Sequence, residues 1–368
     1  MAETFIRTEE QTMLAGALRE MLDAAVDMDR TRELSLTETA FDADVWSALS
    51  DMGLVGMALP EQYGGAGSAF TDLAVVFEEL GRAVAAVPLL SSVLAMSVID
   101  ELGSDDQRSA LLPGLAGGDQ IGTVAMFESS HSIDEDSVGL TAEQTDDGWR
   151  LAGTKRWVTD ATSATHFVVF ARTSDDLGAF VVPADAGLDI EPVPALDATR
   201  PMATVTFETT VGSDARLGGD ATRAWNATIA LATVALAQEQ VGGAQRCLEE
   251  SVEYAKSRHQ FGRAIGSFHA VKHKCADMLV GVEHAKSAAW HAASTMATDE
   301  SDIAVPLAKS VCSDAYLYAA AENIQIHGGI GFTWEHDAHL YFKRAKSTSL
   351  LFGSVEQHRD HLGRALGI

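Results

Sequence analysis

Apolar residues recur every three to four positions in the first part of the chain, which is the spacing of one helix face. A helix is predicted from Thr8, where a polar start signal with following acids precedes the inward stripe Met13, Leu14, Leu18, Met21 and Leu22. A second helix is predicted over residues 41–52, with the inward residues Val45, Trp46 and Leu49. A third covers residues 71–80. The N-terminal part therefore predicts core helices.

The period shortens after Gly117-Gly118, where β-rich runs alternate with Asp/Gly turns. Strands are predicted over residues 123–127, 138–144, 149–159, 167–172, 180–183 and 203–207. Asp146-Asp147-Gly148 between two of them is a strong hairpin signal. This pattern predicts a small β domain between helical ones.

Helical periodicity returns near Asp220 in long Ala- and Leu-rich segments. These cover residues 223–256, 267–295, 303–326 and 340–351, a pattern typical of an up-and-down bundle. The predicted fold is mainly α with a β insert. Its expected domains are an N-terminal α-helical domain (1–120), a middle β-barrel or β-sandwich domain (121–218) and a C-terminal four-helix bundle (219–368).

Composition narrows the possible functions. The 368 residues are 46% hydrophobic, and the net charge of −27 argues against nucleic acid or an anionic membrane as partner. Cys247, Cys275 and Cys312 lack metal-ligand spacing, so we expect reduced thiols and no metal site. Neither a secretory signal nor a bilayer-length apolar run is present, so we expect a cytoplasmic protein.

Two segments carry candidate chemistry. In the first, a helical run through Gln325 meets Gly328-Gly329-Ile330-Gly331, and a second run follows. Glycines stop a helix and let another group approach the backbone, and the unpaired N–H groups of the next helix favour an anion such as a pyrophosphate. A plain helix–loop–helix corner is the alternative. In the second segment, Arg258, Phe261 and Gly262 precede Phe268 and a helical run to Met278.

Together these segments resemble the acyl-CoA dehydrogenase family, which carries an Arg-x-x-Phe-Gly motif and a Gln-x-x-Gly-Gly corner. The resemblance extends over nearly the whole chain and includes a Pro-Glu-x-Tyr-Gly-Gly-x-Gly loop at residues 60–67, whose role is chiefly structural. It implies FAD as cofactor. The implied FAD contacts are Trp157 and Thr159 against the flavin, Arg258, Phe261, Gln325, Gly328 and Gly329 donated to FAD on a neighbouring subunit, and Ser354.

The family forms trans-2-enoyl-CoA by removing an α-proton with a carboxylate while the β-hydrogen passes as hydride to the flavin. Phe352 stands where much of the family has the glutamate, and Ala232 stands where other relatives place it. Neither side chain accepts a proton, so no catalytic residue is assigned. Glu239 and Glu356 are the nearest carboxylates, although structural or solvated roles are open for both.

A second departure lies in the segment Phe127-Glu128-Ser129-Ser130-His131-Ser132-Ile133-Asp134. The family usually has Thr-Glu-Pro followed by Gly-Ser-Asp there, in a loop that covers the flavin and part of the acyl-CoA. Only the glutamate and the last aspartate remain. A complete cofactor pocket within this subunit is therefore not expected.

These features predict a subunit for the FAD-dependent α,β-dehydrogenation of an acyl-CoA in lipid or sterol side-chain catabolism. The chain would be the base-lacking member of a heteromer, a dimer of dimers whose related subunit carries the glutamate, with an electron-transferring flavoprotein as acceptor. The alternatives are a homo-oligomeric dehydrogenase or oxidase with an unorthodox base, Glu239 or Glu356, and a non-catalytic assembly scaffold.

Overall fold

The computed structural model describes residues 7–129 and 132–368, which form eleven α-helices and nine β-strands. The helices before the main sheet are α1 (Glu9–Ala25), α2 (Met28–Leu34), α3 (Ala43–Asp51), α4 (Phe70–Ala83), α5 (Leu89–Leu102) and α6 (Asp105–Ala116). Those after it are α7 (Ala221–Ser257), α8 (His269–Thr295), α9 (Ser301–His327), α10 (Ala338–Thr348) and α11 (Val355–Leu366). The order is helical, then β, then helical, which confirms the predicted fold class.

Helix α1 starts as the sequence predicts but turns a different stripe inward. Thr8 forms a capping box with Gln11, which satisfies N–H groups of the first turn. The buried residues of α1 are Gln11, Ala15, Leu18 and Leu22. Met13 is 74% exposed, so its predicted inward position is wrong. In α3 the predicted inward residues Val45, Trp46 and Leu49 are all buried, which confirms that helix face.

The middle of the chain forms a mixed seven-stranded sheet. Its strands are β1 (Gly122–Ala125), β2 (Thr141–Thr145), β3 (Gly148–Thr159), β4 (His166–Arg172), β5 (Leu177–Pro183), β6 (Asp189–Val193) and β7 (Met202–Val211). The strand order is β1-β4-β2-β3-β7-β6, and β5 pairs with β4. β1 and β2 are parallel to β4, and the remaining pairs are antiparallel.

The sheet confirms the predicted hairpin and adds one strand. Thr145 pairs with Gly148, so Asp146 and Asp147 form the connection between β2 and β3. β6 was missed because its residues are mostly exposed and alternate without a clear apolar face. A bulge shifts the β3–β7 register between Lys155 and Val158, immediately around Trp157.

The chain divides into two compact units. The first, called the helical unit below, comprises the described residues up to Met28, Phe70–Ala85 and Thr233–Ile368. The second contains the main sheet and is called the β unit; it comprises Asp29–Ala69 and Ala86–Ala232. The N-terminal helices are thus divided between the units, because α1 packs on α4 and α4 packs on α8 of the C-terminal helices. Domain boundaries at residues 120 and 218 stay predictions.

The helical unit contains an unusually close crossing of α4 and α7. A Cβ on Gly81 would lie 2.1 Å from the Glu239 backbone oxygen, and one on Gly242 would lie 1.8 Å from the Glu78 backbone oxygen. Only glycine allows backbones this near to each other. No helix among the described residues is long and apolar enough to cross a membrane, and these residues hold no cluster of three potential metal ligands.

Candidate functional site

The glycine corner follows α9 and is open to its surroundings. Gly328 has φ +66° and donates its N–H to the Ile324 carbonyl, which ends the helix. Gly329 has φ −54°, and a Cβ built on it would meet no atom within 4 Å. Nothing within the described chain therefore requires glycine at position 329. Gln325, Gly328 and Gly329 are all exposed, as close approach by an outside group demands.

The end of α7 packs against this corner. The Tyr254 ring lies 4.2 Å from the His327 ring between centroids, and Ser251 shares a 2.9 Å hydrogen bond with Asn323. The backbone N–H of Arg258 bonds to the Tyr254 carbonyl one turn earlier. These contacts bring Arg258 to the same end of the helical unit as Gln325, as the resemblance requires.

Phe261 lies at the turn of a short hairpin formed by β8 (His259–Gln260) and β9 (Arg263–Ala264). Its ring is 91% exposed, and its backbone has φ +51°, a strained value for a bulky residue. Exposed strain of this kind is typical of binding surfaces. Arg258 is also exposed, and its guanidinium forms no ion pair with the described residues.

The charge around Arg258 differs from that of the whole chain. Residues 254–274 contain the cations Lys256, Arg258, Arg263, Lys272 and Lys274 and no Asp or Glu, in a chain whose net charge is −27. Lys256 and Lys274 are paired with Glu253 and Glu322, whereas Arg263 lies over the Phe268 ring at 4.1 Å. The remaining positive charge of this segment favours a phosphate-bearing ligand near Arg258.

Trp157 and Thr159 lie in the β unit and differ in how far their side chains are buried. Trp157 occupies the β3 bulge with φ +54° and is half-buried, so part of its ring remains available for stacking. Thr159 is 3% exposed, and its hydroxyl lies 2.9 Å from the Ser91 hydroxyl. Ser91 also hydrogen-bonds the buried carboxylate of Asp160. The predicted hydrogen bond from Thr159 to a flavin stays a prediction.

Glu128 has a structural role. It is the glutamate that remains in the segment 127–134, which departs from the family pattern. Its carboxylate accepts hydrogen bonds from the N–H groups of Gly139 and Leu140 at 2.9 and 2.8 Å. Lys155, fully buried, donates to it at 2.7 Å and to the Met126 carbonyl at 2.9 Å. Burial lowers the pKa of Lys155 to about 8. These bonds join the loop to β3.

The far end of that loop is held by Trp225 on α7. Its indole N–H donates to the Ile133 carbonyl at 2.7 Å. The loop is therefore tied at both ends within the β unit. Ser130 and His131, also part of the predicted departure, lie outside the described residues.

Phe352 occupies a buried turn between α10 and α11. Its backbone has φ +54°, its ring is 5% exposed, and its carbonyl accepts a 3.0 Å hydrogen bond from His358. Lys309 is fully buried and donates to the Thr348 and Leu351 carbonyls at 2.6 and 2.8 Å. The turn is thus firmly held, yet it presents a side chain that cannot accept a proton.

The two alternative carboxylates are poorly suited to act as a base. Glu239 is 4% exposed, and its carboxylate lies 3.2 Å from the guanidinium of buried Arg344. Glu356 is in the exposed first turn of α11, where hydrogen bonds from its own backbone N–H and from Ser354 lower its pKa. Ala232 is fully buried. Ser354 caps α11 by accepting from the Gln357 N–H, and its cofactor contact stays a prediction.

Several positioning residues were missed at the sequence level. The residues whose contacts hold a candidate surface in place are Lys155, Lys309, Tyr254 and His336. A single lysine within an otherwise apolar or small-residue run, as at Lys309, was the available signal, since such a lysine needs buried acceptors.

Family models match nearly the whole length of the chain. Models of the acyl-CoA dehydrogenase N-terminal, middle and C-terminal domains match residues 8–119, 123–215 and 222–367. The chain belongs to the acyl-CoA dehydrogenase family. It is 32% identical over 358 residues to the acyl-CoA dehydrogenase IpdE2 of Mycolicibacterium smegmatis, covering 96% of this chain and 98% of the relative.

Two solved structures of related dehydrogenases are also similar over nearly their full lengths. The ChsE4–ChsE5 complex from Mycobacterium tuberculosis has a chain that matches with a TM-score of 0.92 and 30% identity, covering 99% of both chains. A Tcur3481–Tcur3483 steroid ACAD variant matches with a TM-score of 0.89 and 34% identity, covering 98% of both.

Acyl-CoA dehydrogenases are FAD-dependent oxidoreductases that act on acyl-CoA. Several residues of this chain fit that cofactor. The exposed corner and Arg258 suit the phosphates and adenosine of FAD, and the half-buried Trp157 ring suits stacking near a flavin. Bound FAD would supply the hydride acceptor of the reaction, and the contacts of this chain with it stay predictions.

Proposed function

We propose that this chain is the base-lacking subunit of a heteromeric acyl-CoA dehydrogenase. The observation that carries the proposal is the pairing of a firmly held turn bearing Phe352 with an exposed, cationic glycine corner. The chain would donate Arg258, Phe261, Gln325, Gly328 and Gly329 to FAD held mainly by a related subunit. That partner would supply the glutamate.

The state of the candidate bases supports this division of labour. A general base must reach the proton it removes and is typically worth about 10²–10⁴ in rate. Glu239 is already engaged by Arg344 inside the helical unit, and Glu356 is solvated at a helix start. Neither provides a free carboxylate in a water-excluded site.

The exposure of the donated surface supports the same conclusion from the cofactor side. Gln325 and Arg258 are already exposed, so an FAD held by a neighbouring subunit could reach them without a rearrangement of these side chains from a buried site.

The relatives support a substrate class and an assembly for this chain. The ChsE4–ChsE5 structure is a complex of two named subunits, and the Tcur3481–Tcur3483 protein is a steroid ACAD. By similarity, we propose an acyl-CoA thioester from a lipid or sterol side chain as substrate. The assembly would be a dimer of dimers that passes electrons to an electron-transferring flavoprotein.

The test is to purify the chain alone and co-expressed with a family member encoded beside it. Flavin absorbance per subunit is measured, and acyl-CoA is added to bleach the flavin. We expect a colourless lone chain and a mixed complex with about one FAD per pair that bleaches, because each FAD requires both subunits. A yellow lone chain that is reduced by acyl-CoA would mean a homo-oligomeric enzyme. A complex in which this chain does not affect flavin content would mean a scaffold.

Variants locate the donated contacts. Arg258→Ala and Gln325→Ala in this chain should weaken FAD retention by the mixed complex by about 10- to 100-fold each, since a hydrogen bond to a charged group contributes about 1.5–3 kcal/mol. Arg359→Ala is the matched control, because that arginine is 53% exposed on α11, paired with Asp314. Equal retention in all three variants would exclude the proposed contacts.

A further inference from the structure

Strand β3 contains an extra residue near its end, at Trp157. Its register with β7 places Lys155 opposite Val205 and Val158 opposite Ala203, so two residues of β3 face a single residue of β7. This arrangement is a β-bulge, and Trp157, with φ +54°, is its second residue. The bulge therefore lies at the ring that the family resemblance predicts against the flavin.

The bulge decides which side chain of β3 enters the sheet core. Before the bulge the buried side chains include Trp149, Leu151 and Lys155, all at odd-numbered positions, whereas after it Val158 is buried. Side chains alternate between the two faces of a strand, so without the extra residue Trp157 would point into the core and Val158 away from it. In the bulged strand Val158 belongs to the core cluster and the Trp157 ring stays half-buried.

Lys155 fixes the strand immediately before the bulge. Its side chain is fully buried, and its ammonium donates to the Met126 carbonyl at 2.9 Å and to the Glu128 carboxylate at 2.7 Å. A buried ammonium is costly unless such acceptors meet it. A slip of β3 by one residue would carry Lys155 to the opposite face, away from both acceptors. The two bonds therefore oppose the register in which the bulge is lost.

The acceptor segment is itself held by backbone hydrogen bonds. Within the bulge, the Arg156 N–H donates to the Phe127 carbonyl at 2.8 Å. The Glu128 carboxylate also accepts from the N–H groups of Gly139 and Leu140, at 2.9 and 2.8 Å. Glu128 is thus fixed from a second direction, so its position does not depend on Lys155 alone.

We propose that Lys155 and Glu128 are positioning residues that hold the β3 bulge and thereby keep the Trp157 ring out of the sheet core. A bulky residue at positive φ persists only where the surrounding bonds over-determine its backbone, and the bonds of the segment 126–128 supply that constraint. A ring held in this way is ready to stack on a planar aromatic group. Its presentation is independent of the proposed function, whereas its use against a flavin rests on the FAD dependence of the family.

The first test is fluorine NMR of the lone chain labelled with fluorotryptophan, in which Trp157→Phe identifies the Trp157 resonance. Lys155→Met removes both ammonium bonds and keeps a long unbranched side chain. We expect the Trp157 resonance to move or split in Lys155→Met, because the ring then samples a second register. The Trp46 resonance should stay in place, since that indole is held in the same unit by the Gly118 carbonyl at 2.9 Å.

The second test is hydrogen exchange followed by mass spectrometry on peptides spanning residues 154–159. We expect their protection to fall by about 10- to 100-fold in Lys155→Met, since hydrogen bonds of a charged donor are lost beside the bulge. Peptides from β4 and β5 are the internal control and should keep their protection, because the predicted change is local.

Two further variants separate positioning from simple loss of a charge. Arg150→Met is the matched control on the same strand, because Arg150 is 55% exposed and pairs with exposed Glu208 at 3.6 Å. It should change neither the Trp157 resonance nor the exchange of residues 154–159. Glu128→Gln keeps the shape and one acceptor oxygen, so it should produce the changes of Lys155→Met at smaller size. It also decides the question if Lys155→Met does not fold.

An unchanged Trp157 resonance in folded Lys155→Met would overturn the inference. An equal fall in the protection of β4 and β5 would also overturn it, since Lys155 would then stabilise the β unit without setting the bulge. Because the lone chain is measured without flavin, these results are independent of FAD stoichiometry. A yellow lone chain that is reduced by acyl-CoA would refute the proposed function and leave this inference intact.

Discussion

Replacing Glu239 by glutamine separates a structural role from a catalytic one. The Glu239 carboxylate lies 3.2 Å from Arg344, and the side chains are 5% and 1% exposed. Glutamine has nearly the same volume, so the change creates no cavity. It removes the negative charge and leaves a guanidinium in the protein interior with its main counter-charge gone.

The size of the effect follows from burial. Breaking a buried ion pair by removing one partner costs about 3–5 kcal/mol, because the remaining charge stays desolvated. The Arg359–Asp314 pair is the matched control, since it is closer at 2.6 Å but its side chains are 53% and 64% exposed. Exposed pairs contribute about 0–1 kcal/mol, so Asp314→Asn should be nearly neutral.

The assay is urea unfolding of the lone chain at pH 7.5, followed by circular dichroism. We expect Glu239→Gln to lower the free energy of unfolding by about 3–5 kcal/mol. A loss below about 1 kcal/mol, equal to that of an exposed pair, would refute the structural role. If the variant were also fully stable but unable to bleach flavin in the mixed complex, Glu239 would be the base.

Three further changes test other parts of the structure. Gly242→Ala would place a Cβ 1.8 Å from a backbone oxygen of α4 and should lower the free energy of unfolding in urea by about 3 kcal/mol. In the control Gly16→Ala the new Cβ meets no atom within 4 Å, so the free energy of unfolding should rise by up to about 1 kcal/mol. Similar effects of the two changes would contradict the close crossing. Burial lowers the pKa of His358 to about 4, so stability present above about pH 6.5 is lost as pH falls towards 4, about 2 kcal/mol of it by pH 5. His358→Gln should flatten this slope between pH 7 and 5, and an unaltered slope would show that another group is responsible. Lys155→Met should lower the free energy of unfolding by about 2 kcal/mol, measured by thermal unfolding. The control Lys256→Met removes a lysine that is 67% exposed in its ion pair and should lower it by less than about 0.5 kcal/mol. Equal losses would argue against the buried network around Lys155.

Local pattern predicted most of the architecture. Helical periodicity located α3, α4 and the long C-terminal helices to within a few residues, and the Asp146-Asp147-Gly148 signal located the β2–β3 hairpin. Hydrophobic periodicity and turn-forming residues are properties of short segments, so they can be recognised without knowing which other parts of the chain pack against them. β6 escaped because an exposed edge strand needs no apolar alternation.

Side-chain roles were harder to predict, because they depend on residues distant in sequence. Met13 fits an amphipathic stripe, yet the stripe that packs is one defined by Gln11, Ala15, Leu18 and Leu22. Thr159 matches a family motif, and the structure adds a hydroxyl contact with Ser91, 68 residues earlier. Neither partner is visible from local spacing.

The sequence by itself determined the family fold, the Arg258 and Gln325 motifs, and the absence of a carboxylate at position 352, since residue identity alone excludes proton transfer by phenylalanine. Only the tertiary structure decided that Glu239 is held by Arg344, 105 residues away, and that His327 is stacked between Tyr254 and His336. Burial and charge pairing arise when separate helices meet, and these two properties control whether an ionisable group is a free base, a structural ion or a neutral support.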